Sequence, residues 1–228
     1  MTKTSTPSSK RLTPSARRQQ ILDAATDYFA EAGFAVQTRE LSRRIGISQP
    51  LLYRYFPSKA ALIDAVLDSV FLRQQQSNWL GELRDRSLPL KERLSRFYGH
   101  YVQGTYSDLW LRIYFFAALA NFEFNGRYVK KIVQDQILTT VCQELRHSLL
   151  TPAQLGALPK TNHAREIELA WMLQSSLFYG MVRKHILHSA PQVEEATRVS
   201  DAVDLFFHGA QGLYPELLSA IAGAPKRP

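Results

Sequence analysis

The sequence predicts an all-α fold of about nine helices, divided between a small N-terminal domain and a larger C-terminal domain. Three observations lead to this prediction. Apolar residues recur at intervals of three and four along most of the 228 residues. No segment has the convincing alternation of a strand. The composition, 45% hydrophobic and 21% charged, is typical of a globular protein.

Several classes of protein are excluded by what the sequence lacks. Cys142 is the single cysteine, so it can form neither an intramolecular disulfide nor a cysteine-based zinc cluster, and it fits a reducing compartment. The longest apolar run, Ile113–Ala120, is far shorter than the ~20 residues that span a bilayer. The first residues do not form a secretory signal. We therefore expect a cytoplasmic protein with no membrane partner.

Signatures of catalysis are also absent from the sequence. It contains no phosphate-binding glycine loop, no nucleophile elbow and no metalloprotease motif. His185 and His188 could share a helix face near His208, but no cysteine or carboxylate at suitable spacing completes a metal site. We predict that the protein is not an enzyme and that it uses no cofactor and no metal.

The positive charge is concentrated near the N-terminus. The net charge of the whole chain is +8, and residues 1–60 hold ten Lys and Arg against four acids. Such an asymmetry favours a polyanionic partner for this segment. A basic surface that is merely solvated is the alternative that charge alone leaves open.

The N-terminal part of the chain predicts a basic arm followed by four helices. Residues 1–12 are rich in Ser, Thr and Lys and lack periodicity, so we expect a flexible arm. Helices are predicted over 14–32 and 38–45, each followed by a glycine. Ser48 is a suitable N-cap for a third helix. A fourth helix, over 59–78, would connect to a second domain that begins near residue 79.

Longer helical patterns follow a charged loop that contains Pro89. Residues 150–162 are expected to form a loop, and a break is expected between Gly209 and Pro215 in the last helix. The predicted helices of this part are 91–106, 108–122, 127–150, 163–189 and 192–221.

The second and third helices have the spacing of a helix-turn-helix motif. Gly46 permits a tight turn between them, and Leu41 and Leu52 can hold the two helices together. The third helix then presents its outer face, and a helix fits the major groove of B-DNA. The spacing alone is weak evidence, because many helical hairpins share it.

The residues within this spacing are much more specific. The stretch Thr38–Val66 resembles the tetracycline-repressor-like (TetR) family of bacterial transcription regulators, and Arg17–Phe34 looks like the first helix of that family. The pattern Leu-Tyr-x-x-Phe…Lys-x-x-Leu is formed by Leu52, Tyr53, Phe56, Lys59 and Leu62. The resemblance covers roughly residues 15–70, and beyond them only the helical architecture is similar.

The resemblance implies an overall function and a separate role for each of the two domains. The protein would be a homodimeric regulator, most simply a repressor, that leaves a palindromic DNA operator when a small-molecule effector binds. Residues 13–60 would form the DNA-binding domain, and residues 79–228 would bind the effector and dimerise. A protein of the same fold that answers to a protein partner, or to no effector, is the alternative.

The resemblance also implies roles for single residues in the DNA-binding domain. Arg39 and Gln49 would read base edges, since guanidinium pairs naturally with guanine and a side-chain amide with adenine. Pro50 would pack on a thymine methyl group. Tyr53, Tyr55 and Lys59 would contact phosphates, with the first amides of the fourth helix assisting Lys59.

Other interpretations of these residues stay open. Both tyrosines could simply pack against the domain, and Arg39 could pair with a local acid such as Glu40. Thr38, Ser48 and Leu51 complete the predicted DNA-contacting set. Leu51 stands where the family usually has threonine, and Val36-Gln37 stands where threonines usually cap the second helix. Both departures bear on the operator sequence.

The last two long helices are the expected dimer interface. In the family they form a four-helix contact between two protomers, and here they correspond to about 163–189 and 192–221. An apolar stripe runs along the first of them, with small residues that allow close approach. Part of this stripe must instead belong to the core of each protomer.

Residues 91–130 are dense in aromatic side chains, which are the natural lining of an effector pocket in this family. An aromatic stripe at helical spacing is otherwise ordinary core. Arg112 would favour an effector with an anionic group. The predicted pocket residues are His100, Gln103, Trp110, Arg112, Tyr114, Phe115, Asn121, Trp171 and Phe178.

Overall fold

The computed structural model describes residues 12–72, 79–120 and 123–222. These residues form helices and connecting turns and contain no strand, which confirms the predicted all-α fold class. Contacts divide the chain into two compact units, Met1–Leu72 and Arg73–Pro228. Within the described ranges, no helix combines the length and the apolar character needed to cross a bilayer.

Residues 12–72 of the first unit form four helices, α1 (Pro14–Ala32), α2 (Thr38–Ile45), α3 (Gln49–Tyr55) and α4 (Lys59–Leu72). Helix α1 begins where the Thr13 hydroxyl accepts a hydrogen bond from the Ala16 amide at 3.2 Å. Apolar side chains from all four helices form one core, and its members include Ile21, Phe29, Leu41, Leu52, Phe56, Leu62 and Val66. Residues 1–11 of the predicted arm, and residues 73–78 of the predicted fourth helix, lie outside the described residues.

The turn between α2 and α3 follows from two local features of the sequence. Gly46 adopts a left-handed conformation with φ of 71°, which a glycine reaches without steric cost, and it ends α2. Ser48 then caps α3, because its hydroxyl accepts from the Leu51 amide. The two helices are therefore joined by a short, well-defined turn, as the glycine and serine predict.

The described residues of the second unit form eight further α-helices and one π-helical segment. Helix α11 contacts α7, α9 and α12, and α12 also contacts α6 and α9. The elements are α5 (Trp79–Arg84), α6 (Leu90–Thr105), α7 (Asp108–Leu119), α8 (Glu123–Tyr128), the π segment (Val129–Leu138), α9 (Thr139–Leu149), α10 (Pro152–Ala157), α11 (Ala164–His185) and α12 (Glu195–Ala222).

Three details of this unit differ from the sequence prediction. The short helices α5 and α10 occupy stretches predicted as connector or loop, which raises the number of helices above nine. The predicted helix 127–150 contains the π segment, a local widening that periodicity does not register. The predicted break at Gly209–Pro215 is wrong, because α12 runs through Pro215 without interruption.

Two buried carboxylates tie the helices of the second unit together. Glu166 of α11, fully buried, accepts hydrogen bonds from Arg146 of α9 at 2.7 Å and from the Tyr214 hydroxyl of α12 at 3.2 Å. Glu144 of α9 accepts from Arg93 of α6 at 2.7 Å and from Arg86 at 2.8 Å. Each carboxylate therefore accepts hydrogen bonds from side chains that belong to more than one segment of the chain.

We predict that Glu166→Ala lowers the free energy of unfolding by ~3–5 kcal/mol, because it leaves the Arg146 guanidinium buried without its counter-charge. Arg112→Ala removes the exposed pair with Asp108 and should cost less than ~1 kcal/mol. Urea unfolding followed by circular dichroism measures both changes. Equal losses for the two variants would show that the buried pair does not hold the unit together.

Candidate functional site

The outer part of the helix-turn-helix carries a small hydrogen-bond cluster centred on Thr38. The Thr38 hydroxyl, part of a residue only 8% exposed, lies 2.9 Å from the Tyr53 hydroxyl. It also accepts a hydrogen bond from Gln49 Nε2 at 3.2 Å. The cluster joins the first residue of α2 to the first and fifth residues of α3. Three of the predicted DNA-contacting residues are therefore in direct contact, and Tyr53 and Gln49 keep part of their surface exposed.

Arg39 is exposed at the start of α2, and its predicted alternative partner is engaged elsewhere. Glu40 accepts two hydrogen bonds from Arg43, at 2.7 and 2.9 Å, and these lower the pKa of Glu40. Arg44 pairs with Glu31 at 2.7 Å. Among the described residues no carboxylate pairs with Arg39, so its charge is available for another partner. Arg39 and Gln49 line the same shallow depression of the surface.

The remaining predicted contacts lie at the two ends of α3 and at the start of α4. Ser48 and Pro50 are exposed, and Leu51 is half-buried. Tyr55 is half-buried as well, which is compatible with partial packing. Lys59 is the first residue of α4, whose N-terminus is capped by Ser58 through a 3.0 Å hydrogen bond from the Ala61 amide.

The second unit contains a cavity of about 80 Å³ with mainly aromatic walls. Of the predicted pocket residues, Trp110, Tyr114, Trp171 and Phe178 line it. Phe115 lies just behind, with its ring 6.2 Å from the ring of Phe178. The other lining residues come from three places. Tyr101 and Tyr106 belong to α6 and the turn after it, and Tyr128, Val129 and Val133 lie at the junction of α8 with the π segment. Gln174 and Ser175 belong to α11.

Three of the predicted polar residues lie away from this cavity. His100 is exposed and pairs with Glu82 at 2.8 Å. Gln103 is also exposed. Arg112 points along its own helix to Asp108, at 2.9 Å, so it cannot supply the cationic contact expected from the sequence. Asn121 lies outside the described residues. Within the described ranges, no group of three His, Cys, Asp or Glu residues could hold a metal ion.

The polar groups that do face the cavity were not selected by sequence reasoning. Gln174 is 3% exposed, and its Nε2 donates to the Tyr106 hydroxyl at 2.7 Å. Burial raises the pKa values of Tyr106 and Tyr128 well above the usual range, so both hydroxyls stay neutral. A signal did exist in the sequence, because Gln174 lies three residues after Trp171 and four before Phe178 and therefore shares their helix face.

A second apolar surface lies between α11 and α12. It is a groove of about 360 Å³ whose lining is almost entirely apolar. Several of its side chains are far more exposed than a large apolar residue normally is, notably Leu205 at 78%, Met172 at 65% and Leu213 at 51%. Three other apolar residues of α11, Ala170, Leu177 and Met181, are instead buried within the protomer.

Comparison with known proteins gives the first unit a family. Residues 21–66 match the model of "Bacterial regulatory proteins, tetR family". The chain is 30% identical over 88 residues to the tetracycline repressor protein class D of Escherichia coli, which is 35% of this chain and 40% of that protein. It is also 35% identical over 77 residues to the nucleoid occlusion factor SlmA of Marinomonas, covering 29% of this chain and 39% of that protein. These matches span well under two thirds of each relative.

Solved structures extend the likeness in fold to nearly the whole chain. A TetR-like transcriptional regulator from Rhodococcus is 24% identical with a TM-score of 0.63, over 89% of this chain and 100% of that one. A tetR-family transcriptional regulator from Streptomyces coelicolor is 19% identical with a TM-score of 0.56, over 92% and 88%. Residues 21–66, which contain the helix-turn-helix, therefore match the tetR family of bacterial regulatory proteins, and nearly the whole chain shares the fold of solved regulators.

Proposed function

We propose that the protein is a homodimeric transcriptional repressor of the cytoplasm that binds a palindromic DNA operator and is released by a small-molecule effector. The observation that carries the DNA-binding part is the Thr38 cluster, which holds Gln49 and Tyr53 in fixed positions on an exposed helix. A side chain that is already oriented loses less entropy when it contacts a base or a phosphate.

The cluster supports a division of roles within the recognition helix. The hydrogen bond to Thr38 uses one N–H of the Gln49 amide and leaves the second N–H and the oxygen for the N7 and N6 groups of adenine. Arg39, with no acidic partner among the described residues, supplies a guanidinium for guanine. Tyr53 on α3 and Lys59 at the start of α4 would bind phosphates.

The groove between α11 and α12 supports the dimer. One recognition helix covers only a few base pairs, so specific binding normally needs two of them related by two-fold symmetry. A second copy of the chain, presenting the same groove, would cover Leu205, Met172 and Leu213 and bury an apolar surface that water otherwise contacts.

The cavity supports control by an effector. A ligand there would contact α7, α11 and the π segment, and in a dimer a shift of α11 would change the separation of the two recognition helices. The second candidate is a DNA-binding protein of the same fold that works without a small effector. The lined cavity favours the first candidate, because a fully packed domain would have no room for a ligand.

Selection from a pool of random DNA duplexes tests the proposal as a whole. We expect the enriched sequences to share two inverted half-sites about one helical turn apart. A protein that binds no duplex even at low ionic strength, or one whose enriched sites lack two-fold symmetry, would overturn it.

We predict that Lys59→Ala weakens operator and non-specific duplexes by similar factors, because a phosphate contact is independent of sequence. The slope of log K against log salt concentration should fall by ~0.9 for each phosphate that the protein no longer neutralises. Fluorescence anisotropy at several salt concentrations measures it. Lys131→Ala, which removes an exposed lysine of the second unit, should leave the slope unchanged. An unaltered slope in the Lys59 variant would remove this residue from the phosphate contacts.

We predict that Thr38→Val relaxes base preference at one position of each half-site, by ~1–3 kcal/mol, because Gln49 loses the hydroxyl that orients it. Thr38→Ser keeps the hydroxyl and should keep the preference. The ratio of affinities for the operator and for a singly substituted operator is the quantity to measure, since it does not depend on the folded fraction. Similar ratios in both variants would mean that Thr38 does not position Gln49.

We predict that Leu205→Glu weakens self-association at least ~100-fold, because each protomer would bury a carboxylate that has no counter-charge. Leu119→Glu is the matched control, since Leu119 is 81% exposed and lies on α7, outside the groove. Sedimentation equilibrium of the two variants compares their dissociation constants. A dimer that survives Leu205→Glu but not Leu119→Glu would place the interface elsewhere.

A further inference from the structure

We propose that the cavity of the second unit takes an uncharged, single-ring aromatic molecule that carries an N–H or O–H donor, and that Gln174 Oε1 accepts this donor. The inference rests on the effector site of the proposed function and adds the chemical class of its ligand. It follows from a buried acceptor, from the charge of the walls and from the size of the space.

The buried acceptor is the oxygen of the Gln174 amide. The Tyr106 hydroxyl donates towards the Tyr101 hydroxyl, at 3.5 Å, and so accepts from Gln174 Nε2 at 2.7 Å. This arrangement directs Nε2 to Tyr106 and leaves Oε1 with no hydrogen-bond partner among the described residues. Leaving a buried acceptor unsatisfied is costly, and a donor on a ligand in the cavity that Gln174 lines would remove that cost.

The walls of the cavity carry no formal charge. Aromatic rings, two valines, a serine and the Gln174 amide make up its lining within the described residues. The hydroxyls of Tyr106 and Tyr128 remain neutral because burial raises their pKa values. A charged ligand would therefore be desolvated with no counter-charge beside it. A cation would recover part of this loss on the ring faces, which makes it the nearest competitor.

The size and the ring geometry favour one aromatic ring. A cavity of about 80 Å³ is smaller than the ~150 Å³ apolar cavity that is known to hold benzene, so one ring is the upper limit and the walls must move outward to admit it. Tyr106 and Phe178 meet edge to face, with centroids 5.4 Å apart, and Trp110 and Tyr114 stack at 5.1 Å. Aromatic walls at these spacings offer both edges and faces to a further ring.

Phenol is the probe for this proposal, with four single-ring controls. Toluene lacks any polar group, anisole can only accept a hydrogen bond, benzoate is anionic and benzylammonium is cationic. Ligand-observed NMR titration of the full chain without DNA gives the relative affinities. We expect phenol to bind about tenfold more tightly than toluene or anisole, and the two ions to bind more weakly than phenol. Equal binding of phenol and toluene, a preference for anisole or for either ion, or no binding of any probe would overturn the proposal.

Two variants then test whether Gln174 accepts the hydrogen bond from the ligand. In Gln174→Leu the preference for phenol over toluene should fall at least fivefold, because the acceptor is gone. In Tyr106→Phe it should persist, because Gln174 Oε1 remains. A preference that survives Gln174→Leu overturns the assignment, and the probe series in the unmodified protein decides the ligand class even where a variant does not fold.

The same probe separates this inference from the proposed function. Phenol is added to the complex with the selected operator, and DNA release is followed by anisotropy. Binding of phenol by NMR without release of DNA upholds the ligand class, since the cavity is occupied as described, and contradicts control by an effector at this site. Release of DNA by benzoate or benzylammonium but not by phenol upholds effector control and overturns the class.

Discussion

The ion pair between Glu166 and Arg146 is the constraint on which the second unit depends. Glu166 lies in the first turn of α11, and by binding Arg146 of α9 and the hydroxyl of Tyr214 it fixes this helix against α9 and α12. Arg146 also donates to the carbonyl oxygens of Pro159 and Thr161, so the segment that leads into α11 is held by the same group. A charge that is fully buried needs all of these partners at once, and this requirement leaves α11 little freedom at its N-terminal end.

The two surfaces to which we propose to assign effector binding and dimerisation lie on two faces of this one helix. Residues 171, 174, 175 and 178 line the cavity, and residues 169, 172, 173 and 176 line the groove. Both sets follow the same helical spacing and are offset by two residues, so they point in different directions from a shared backbone. Because α11 is anchored at its first turn, a ligand pressing on the cavity face would move the helix mainly further along, where it also forms the groove. The coupling that we propose between effector binding and the dimer interface therefore has to cross only the width of one helix.

Much of this architecture was predictable, and the failures have identifiable causes. Thr13, Ser48 and the left-handed Gly46 predict the boundaries of α1 to α3, because caps act through neighbouring residues alone. The break expected at Pro215 does not occur. Proline removes one amide hydrogen bond, but Tyr214, Leu217 and Leu218 are buried around it, and this packing outweighs the local loss. The aromatic density of residues 91–130 selected Trp110 and Tyr114, and both of them line the cavity. It could not exclude Arg112, whose partner Asp108 lies one turn away and holds the guanidinium at the surface.

Gln174 shows why the chemistry of a cavity is harder to predict than its position. From the sequence it is one polar residue within an apolar stripe, and the simplest expectation for such a residue is a satisfied amide. The structure satisfies only its nitrogen, through Tyr106, and leaves the oxygen of this cavity-lining residue with no hydrogen-bond partner among the described residues. Selectivity in a neutral aromatic cavity arises mainly from such a group, because apolar contacts distinguish ligands of similar size only weakly, whereas an unpaired buried acceptor penalises every ligand that lacks a donor. Neutral walls also imply that this selectivity does not change over the pH range in which the tyrosine hydroxyls stay protonated.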